Sequence, residues 1–198
     1  MSDDLDPVRR LRPDRAGDDG PVGPGVFSRH KEQLMAMIDE DAATAAEDSR
    51  ERDPAMYPRL AYLDESAALA YLTRVFGFVE RREARMGTGS ADDPMLAWLD
   101  FGDGVVMIGR ADEPCHRVHQ IYSPREVGQA TAMINVRVDN IDDHYRRAVA
   151  EGADITMPIE DAFYGVRRYE ATDLEGHRWH FHETLAHVRE RGGQVSDE

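Results

Sequence analysis

"LDESAALAYLTRVFGF" (residues 63–78) and "VDNIDDHYRRAVAEGADI" (residues 138–155) share a spacing that decides the fold. Asp64 stands thirteen residues before Gly77, and Asp139 stands thirteen residues before Gly152. In each stretch an apolar run ends at an Asp turn, a helix of about three turns follows, and Gly stops it. Strand-like runs come next both times. After the first helix the chain reads "VERREARM" and then "PMLAWLDFGDGVVMIG", in which Asp103-Gly104 is a two-residue hairpin signal. After the second it reads "ITMPIED", "GVRRYEATD" and "HRWHFHE", the last two joined across "DLEG". The expected fold class is α+β, with two βαβββ modules in a repeat of about seventy-five residues.

The remaining bounds are coarse. A chain of 198 residues holds one ordinary domain plus an extension, enough to bury a sizeable core. Residues 1–52 form an acidic, partly disordered extension, punctuated by Pro and Gly; within it Ser28 caps a helix carrying Leu34, Met37, Ile38, Asp41 and Ala45 at helical spacing. The main domain is expected over 57–186, its modules over about 57–112 and 130–186, with a polar tail over 187–198. A net charge of −15 argues against nucleic acid and against an anionic membrane surface, both of which need clustered basic residues. Cys115 is the only cysteine and no apolar run approaches a bilayer span or a signal core, so a soluble, cytoplasmic protein is expected. No nucleophile elbow, P-loop or dinucleotide fingerprint is present, and "EPCH" (113–116) reads as an irregular loop whose Cys115 and His116 point to opposite faces.

With "LTRVFGF" near the start, "FGDGVVMIG" in the middle and "YEATDLEGHRWHF" at the end, the chain resembles the glyoxalase/bleomycin-resistance family, also called the vicinal oxygen chelate superfamily. The resemblance covers roughly Tyr57 to Ala186. It implies that the curled mixed sheets of the two modules enclose a cavity, usually completed at a dimer interface, and therefore a homodimer. It does not name a reaction. The superfamily includes isomerases, epimerases, ring-cleaving dioxygenases, thiol transferases and proteins that only bind drugs, so function has to come from the site.

The same resemblance implies four metal-ligand positions, two per module. The first falls at Tyr57 or Pro58, the second in "VVMIG" at Met107 or Ile108, the third at Met133 in "MINVRVDN", and the fourth at His180. One position in four keeps a plausible ligand, whereas a stable catalytic cation needs about three. Four of the eight histidines do fall within residues 173–187, and alternation along a strand puts His180 and His182 on one face. A rebuilt site would need a third donor, such as His116 or His119. The expectation is that no metal is held, with a divalent cation as the alternative.

What stands in the metal's place reads as a surface for a small-molecule ligand. Trp98 shares a strand face with Leu96 and Asp100 and can stack on a flat ligand, while Met107 and Met133 supply soft walls. Asn135, on the face of Met133, is a polar anchor, and His180 and His182 face the same space. Tyr164 in "EDAFYGVRRYE" lies in the segment that often closes such a pocket; Arg167 and Arg168 beside it read as solvated strand charges. Core packing is the competing reading for Trp98 and the methionines. Two functions follow: a metal-free binder of a planar drug-like or metabolite ligand, or a lyase, isomerase or dioxygenase-type enzyme. The enzyme would work through a rebuilt His-based metal site or through His180 as general base.

Overall fold

A computed structural model of the chain describes residues 54–196. The expected N-terminal extension, and the helix expected to start at Ser28, lie outside the described residues. The first module runs β1 (Arg59–Tyr62), α1 (Glu65–Tyr71) continuing into a π-helical turn (Leu72–Phe76), β2 (Val79–Glu80), β3 (Leu96–Phe101) and β4 (Gly104–Arg110). Two short helices, α2 (Glu113–His119) and α3 (Pro124–Val127), link it to the second. There follow β5 (Met133–Arg137), α4 (Ile141–Ala150), β6 (Asp154–Ala162), β7 (Val166–Thr172), β8 (Arg178–Thr184) and a closing helix α5 (Leu185–Glu190).

The repeat is therefore real, and it is written in the caps. Asp64 accepts from the amide of Ala67 at the start of α1, and Asn140, one residue after the Asp139 expected, accepts from the amide of Asp143 at the start of α4. Gly77 and Gly152 end the two helical segments at φ of 79° and 80°, a left-handed conformation that a Cβ disfavours. Each module builds a four-stranded mixed sheet of the same order, β1-β4-β3-β2 and β5-β8-β7-β6, with β1/β4 and β5/β8 parallel. The two sheets are not closed on one another, so the expected cavity enclosure is not completed within the described chain.

Alternation divides every strand between two faces. Leu60, Tyr62, Leu99, Val106 and Ile108 of the first sheet and Val136, Tyr169, Trp179 and Phe181 of the second all enter one hydrophobic core. The end of the first helical segment joins the modules: Phe76 packs its ring 4.9 Å from Phe181, and Phe78 packs 5.3 Å from Trp179. Two polar clamps secure this seam. Buried His144 on α4 meets the Phe76 carbonyl through Nε2 at 2.9 Å and the Tyr169 hydroxyl through Nδ1 at 2.7 Å. A carbonyl only accepts, so Nε2 carries the proton, Nδ1 accepts from Tyr169, and the ring is neutral. At the other end, the β7–β8 turn seats two buried carboxylates. Asp173 accepts from the Tyr62 hydroxyl (2.7 Å) and the Trp179 indole (3.0 Å). Glu175, 2% exposed, accepts from the amides of Leu63 (2.8 Å) and Asp64 (2.9 Å) and from the Ser123 hydroxyl (2.5 Å).

Several local expectations are corrected. In "VERREARM" only Val79–Glu80 pairs as a strand; the charge-rich remainder turns into a 3-10 helix at Arg82–Ala84, with Arg85 tied back to Glu80. The hairpin turn lies at Gly102-Asp103, one residue earlier than expected, because Phe101 pairs with Gly104 and Gly102 supplies the positive φ of 58° at the first turn position. "EPCH" belongs to a helix, capped by Asp112 accepting from the Cys115 amide and opened by a proline in its first turn. The polar tail begins with α5, which buries Val188. Among the described residues no helix is long and apolar enough to cross a membrane.

Two outcomes follow from the clamps. Glu175→Ala strands three donors at the module seam and is expected to cost about 2–5 kcal/mol in urea unfolding; a loss under about 1 kcal/mol would show that the turn carries no weight. Burial holds the His144 pKa down at about 4, against an unfolded value near 6.5. Between those values the unfolded chain binds a proton that the folded chain refuses, so this stability is full above pH 6.5 and is lost as pH falls toward 4. The stability gap between wild type and His144→Gln should shrink by about 3 kcal/mol between pH 7 and pH 4. Parallel pH profiles for the two proteins would refute this.

Candidate functional site

The strand faces turned away from the core carry the residues singled out from the sequence. On β8, Trp179 and Phe181 enter the core, which leaves His180 and His182 on the opposite face. Register sets Asn135 and Glu170 on either side of His180, and Arg137 and Arg168 on either side of His182. His180 is 8% exposed, and its Nδ1 lies 3.5 Å from a Glu170 oxygen whose carboxylate partner oxygen accepts from Arg178 at 2.8 Å. The two imidazoles lie 5.6 Å apart. Burial first, then the neighbouring His180 and Arg137, pushes the His182 pKa down, and its buried Nδ1 has no hydrogen-bond partner among the described residues. Met133 pairs with Arg178 rather than with His180 and is 40% exposed. Tyr164 stands at the β6–β7 turn, with the Arg168 guanidinium 5.3 Å above its ring. The two arginines beside it part company: Arg168 pairs with Glu160, while Arg167 ties Asp161 to Asp142.

Trp98 and Met107 lie on the first sheet, opposite one another on β3 and β4 and on the face away from the core. Ile108, the other choice for the second ligand position, is fully buried in the core. The strand partner of Met107 is Arg59, and Pro58 serves by its carbonyl, which accepts from the Met107 amide at 2.9 Å. Arg59 therefore extends the Trp98–Met107 rung. Sequence reading missed it, although counting alternate residues back from core Tyr62 and Leu60 places it on this face. Arg81, at the far side of Trp98, pairs with Asp100 at 2.7 Å.

The residues do not fit a divalent metal. The four superfamily positions offer Tyr57 or Pro58, two thioethers and one imidazole, and hard or borderline cations want oxygen or nitrogen. Among the described residues no group of three or more His, Cys, Asp or Glu is placed to hold an ion. His116, considered as a third donor, stacks on Tyr122 at 4.4 Å and lies 3.2 Å from Glu126, while His119 ends α2. Buried Cys115 on α2 makes no thiolate pair with His116; burial pushes its thiol pKa up.

A cavity of about 570 Å³ opens at the module junction, lined by Phe101, Asp103, Arg137, Asn140, His144 and Arg147. It contains none of the residues expected to bind a ligand. Those residues are instead divided between the two sheets, with Trp98 and Met107 on the first and Met133, Asn135, His180 and His182 on the second.

Comparison with known proteins places this architecture. The sequence model of the Glyoxalase/Bleomycin resistance protein/Dioxygenase superfamily matches residues 59–181. An uncharacterized protein of Mycobacterium bovis is 27% identical over 129 residues, which span 64% of this chain and 81% of that protein. The crystal structure of TioX from Micromonospora sp. ML1 aligns with a TM-score of 0.51 at 33% identity, covering 73% of this chain and 100% of TioX. A glyoxalase/bleomycin resistance protein/dioxygenase family enzyme from Burkholderia phytofirmans PsJN shares the fold at a TM-score of 0.52 and 21% identity, over 65% of this chain and 97% of its own. The doubled βαβββ module, its repeated strand order and the match over residues 59–181 make this chain a member of the glyoxalase/bleomycin resistance protein/dioxygenase superfamily.

Proposed function

We propose that the chain is a metal-free binder of a planar small molecule, acting in the cytoplasm as a homodimer. The observation that carries this reading is the Trp98–Met107 rung: an indole and a thioether side by side on a strand face that is not used for the core. In this reading Trp98 stacks on the ligand and Met107 and Met133 shape its walls. Asn135, His180 and His182 provide polar contacts, and Tyr164 closes over them. The division of these residues between two open sheets supports a dimer, because a second copy supplies the missing wall.

A second reading has one observation behind it, the approach of His180 to Glu170 at 3.5 Å. A carboxylate beside an imidazole orients it as a general base. An enzyme of that kind would lose turnover in His180→Gln while ligand binding persisted.

Protein purified without tag or chelator is expected to carry less than about a tenth of an equivalent of Zn, Ni, Fe or Mn, since two imidazoles without a third ligand hold metal too weakly to survive purification. Near-stoichiometric metal that disappears in His180→Ala would reject the binder and favour a metal enzyme. Trp98→Ala is expected to weaken binding of the planar probe N-phenyl-1-naphthylamine by about 1–3 kcal/mol in a fluorescence titration. A Trp98 used only for packing would show its loss in thermal stability and leave the probe's affinity intact. Light scattering should return twice the chain mass, and a monomer in dilute solution would count against the shared site.

A further inference from the structure

We propose that Arg59 is the fixed positive charge of the ligand face, and that the ligand carries an anionic group, a carboxylate, sulfonate or phosphate, beside its flat body. This rests on the reading of the Trp98 face as a binding surface and goes beyond it by assigning the ligand's charge.

The placement comes from register. Arg59, Met107 and Trp98 form one continuous rung across β1, β4 and β3. The guanidinium then folds along the same face over Gly109: a Cβ built on Gly109 would lie 3.7 Å from Arg59 Nη2 and 2.5 Å from Leu96 Cδ2. The bare glycine leaves the room in which Leu96 and the arginine lie. Arg59 is partly buried, so its charge acts in a medium that screens it less than water does.

The partners of this guanidinium are the anomaly. Its only polar contact among the described residues is Nη2 to the Cys115 sulfur at 3.8 Å, and its Nε is buried without a partner. The chain has 39 acidic residues against 24 Lys and Arg, so counter-ions are abundant. The other arginines on or next to these strands find them: Arg81 pairs with Asp100, Arg110 with Glu65, Arg137 with Asp103, Arg167 with Asp161, Arg168 with Glu160 and Arg178 with Glu170. Cys115 does not substitute for a carboxylate, because burial pushes its thiol pKa up and keeps it neutral. A sulfur is a weak acceptor, and a buried N–H left without a partner costs stability.

A guanidinium kept short of acceptors on the same sheet face as an indole, with Met107 between them on the rung, is suited to an incoming anion. Its planar fork matches a carboxylate, sulfonate or phosphate, and such charge-assisted bonds are about twice as strong as neutral ones. A free metal ion would be repelled by the same charge. The face thus selects an aromatic anion, with the ring on Trp98 and the anion on Arg59.

Two probes with the same aromatic body separate the charge from the ring: 8-anilinonaphthalene-1-sulfonate and uncharged N-phenyl-1-naphthylamine. In fluorescence titrations of the full chain, the sulfonate should bind about 10-fold tighter than the amine. Arg59→Met should abolish that preference while leaving the amine's affinity within about 2-fold, and Arg59→Lys should keep part of it. A sulfonate preference that survives Arg59→Met would overturn the assignment of Arg59 and leave the binding face standing. If neither probe binds, or if Trp98→Ala alters neither, the binding face itself falls and the Arg59 proposal with it. Should Arg59→Met fail to fold by circular dichroism, salt decides: wild-type affinity for the sulfonate must fall with added NaCl while that for the amine does not, and equal responses would overturn the proposal.

Discussion

Two carboxylates buried in one turn, with no cation facing either in a hydrogen bond, set the constraint on which the module seam depends. Asp173 and Glu175 are 6% and 2% exposed, and among the described residues each accepts only from neutral donors: a hydroxyl, an indole and two amides of its own turn for one, two amides and a hydroxyl for the other. Such groups cannot shift without losing several bonds together, since the Tyr62, Trp179, Leu63, Asp64 and Ser123 donors lie outside the turn. Leu63 and Asp64 are the last residues before α1, so the turn of the second module fixes where the first module's helix begins. His144 does the same at the other end, reaching from α4 to the carbonyl of Phe76 where the first helical segment ends. The second module thereby holds both ends of that segment, and the aromatic packing of Phe76 and Phe78 on Trp179 follows from having both ends held.

This seam explains the histidines of the C-terminal run. His177 is spent on the Ala61 carbonyl at 2.9 Å and lies with its ring 4.6 Å from Tyr62. His187 lies on α5, 3.1 Å from Glu183. Only His180 and His182 remain on the strand face that alternation assigned to them. The local density of imidazoles that raised the question of a metal is dispersed by three-dimensional register among a clamp, a helix and a strand face. Two thioethers at the neighbouring superfamily positions complete the disagreement with a metal.

The fold was legible because its signals are local and repeated. A polar turn before each helix, at Asp64 and at Asp139-Asn140, and a left-handed glycine at Gly77 and Gly152 need only a few residues each to be recognised, although the second cap is Asn140, one residue after the Asp139 expected. What escaped depended on choices between near-equal local options: glycine on both sides of Asp103 allowed two turns, and pairing of Phe101 with Gly104 selected the earlier one. The helix over "EPCH" was missed even though Asp112 and a first-turn proline were there to announce it. The candidate site was legible only in parity. Alternation assigned Trp98, Met107, His180 and His182 to one kind of face, but it said nothing about which sheet neighbour each would meet. On β5, for instance, the strand partner of His180 is Asn135 and that of Met133 is Arg178, a register that alternation alone does not give.

Arg59 shows why charge at a site is harder to read than hydrophobicity. An apolar side chain needs only to be on the correct face, and alternation settles that. An arginine's role depends on whether an acid reaches it, and that acid can come from any element. Arg110 and Arg59 lie on neighbouring strands of the first sheet, at the end of β4 and the start of β1, yet Glu65 on α1 bonds the first through Nε at 2.9 Å while the second meets only a thiol among the described residues. The difference arises from the helix that reaches each arginine. The α1 helix carries its acid, Glu65, in the first turn, beside the end of β4, whereas α2 presents Cys115 from its first turn toward Arg59. A buried acid makes one arginine part of the scaffold, and a buried thiol leaves the other with its charge uncompensated at the edge of an open face.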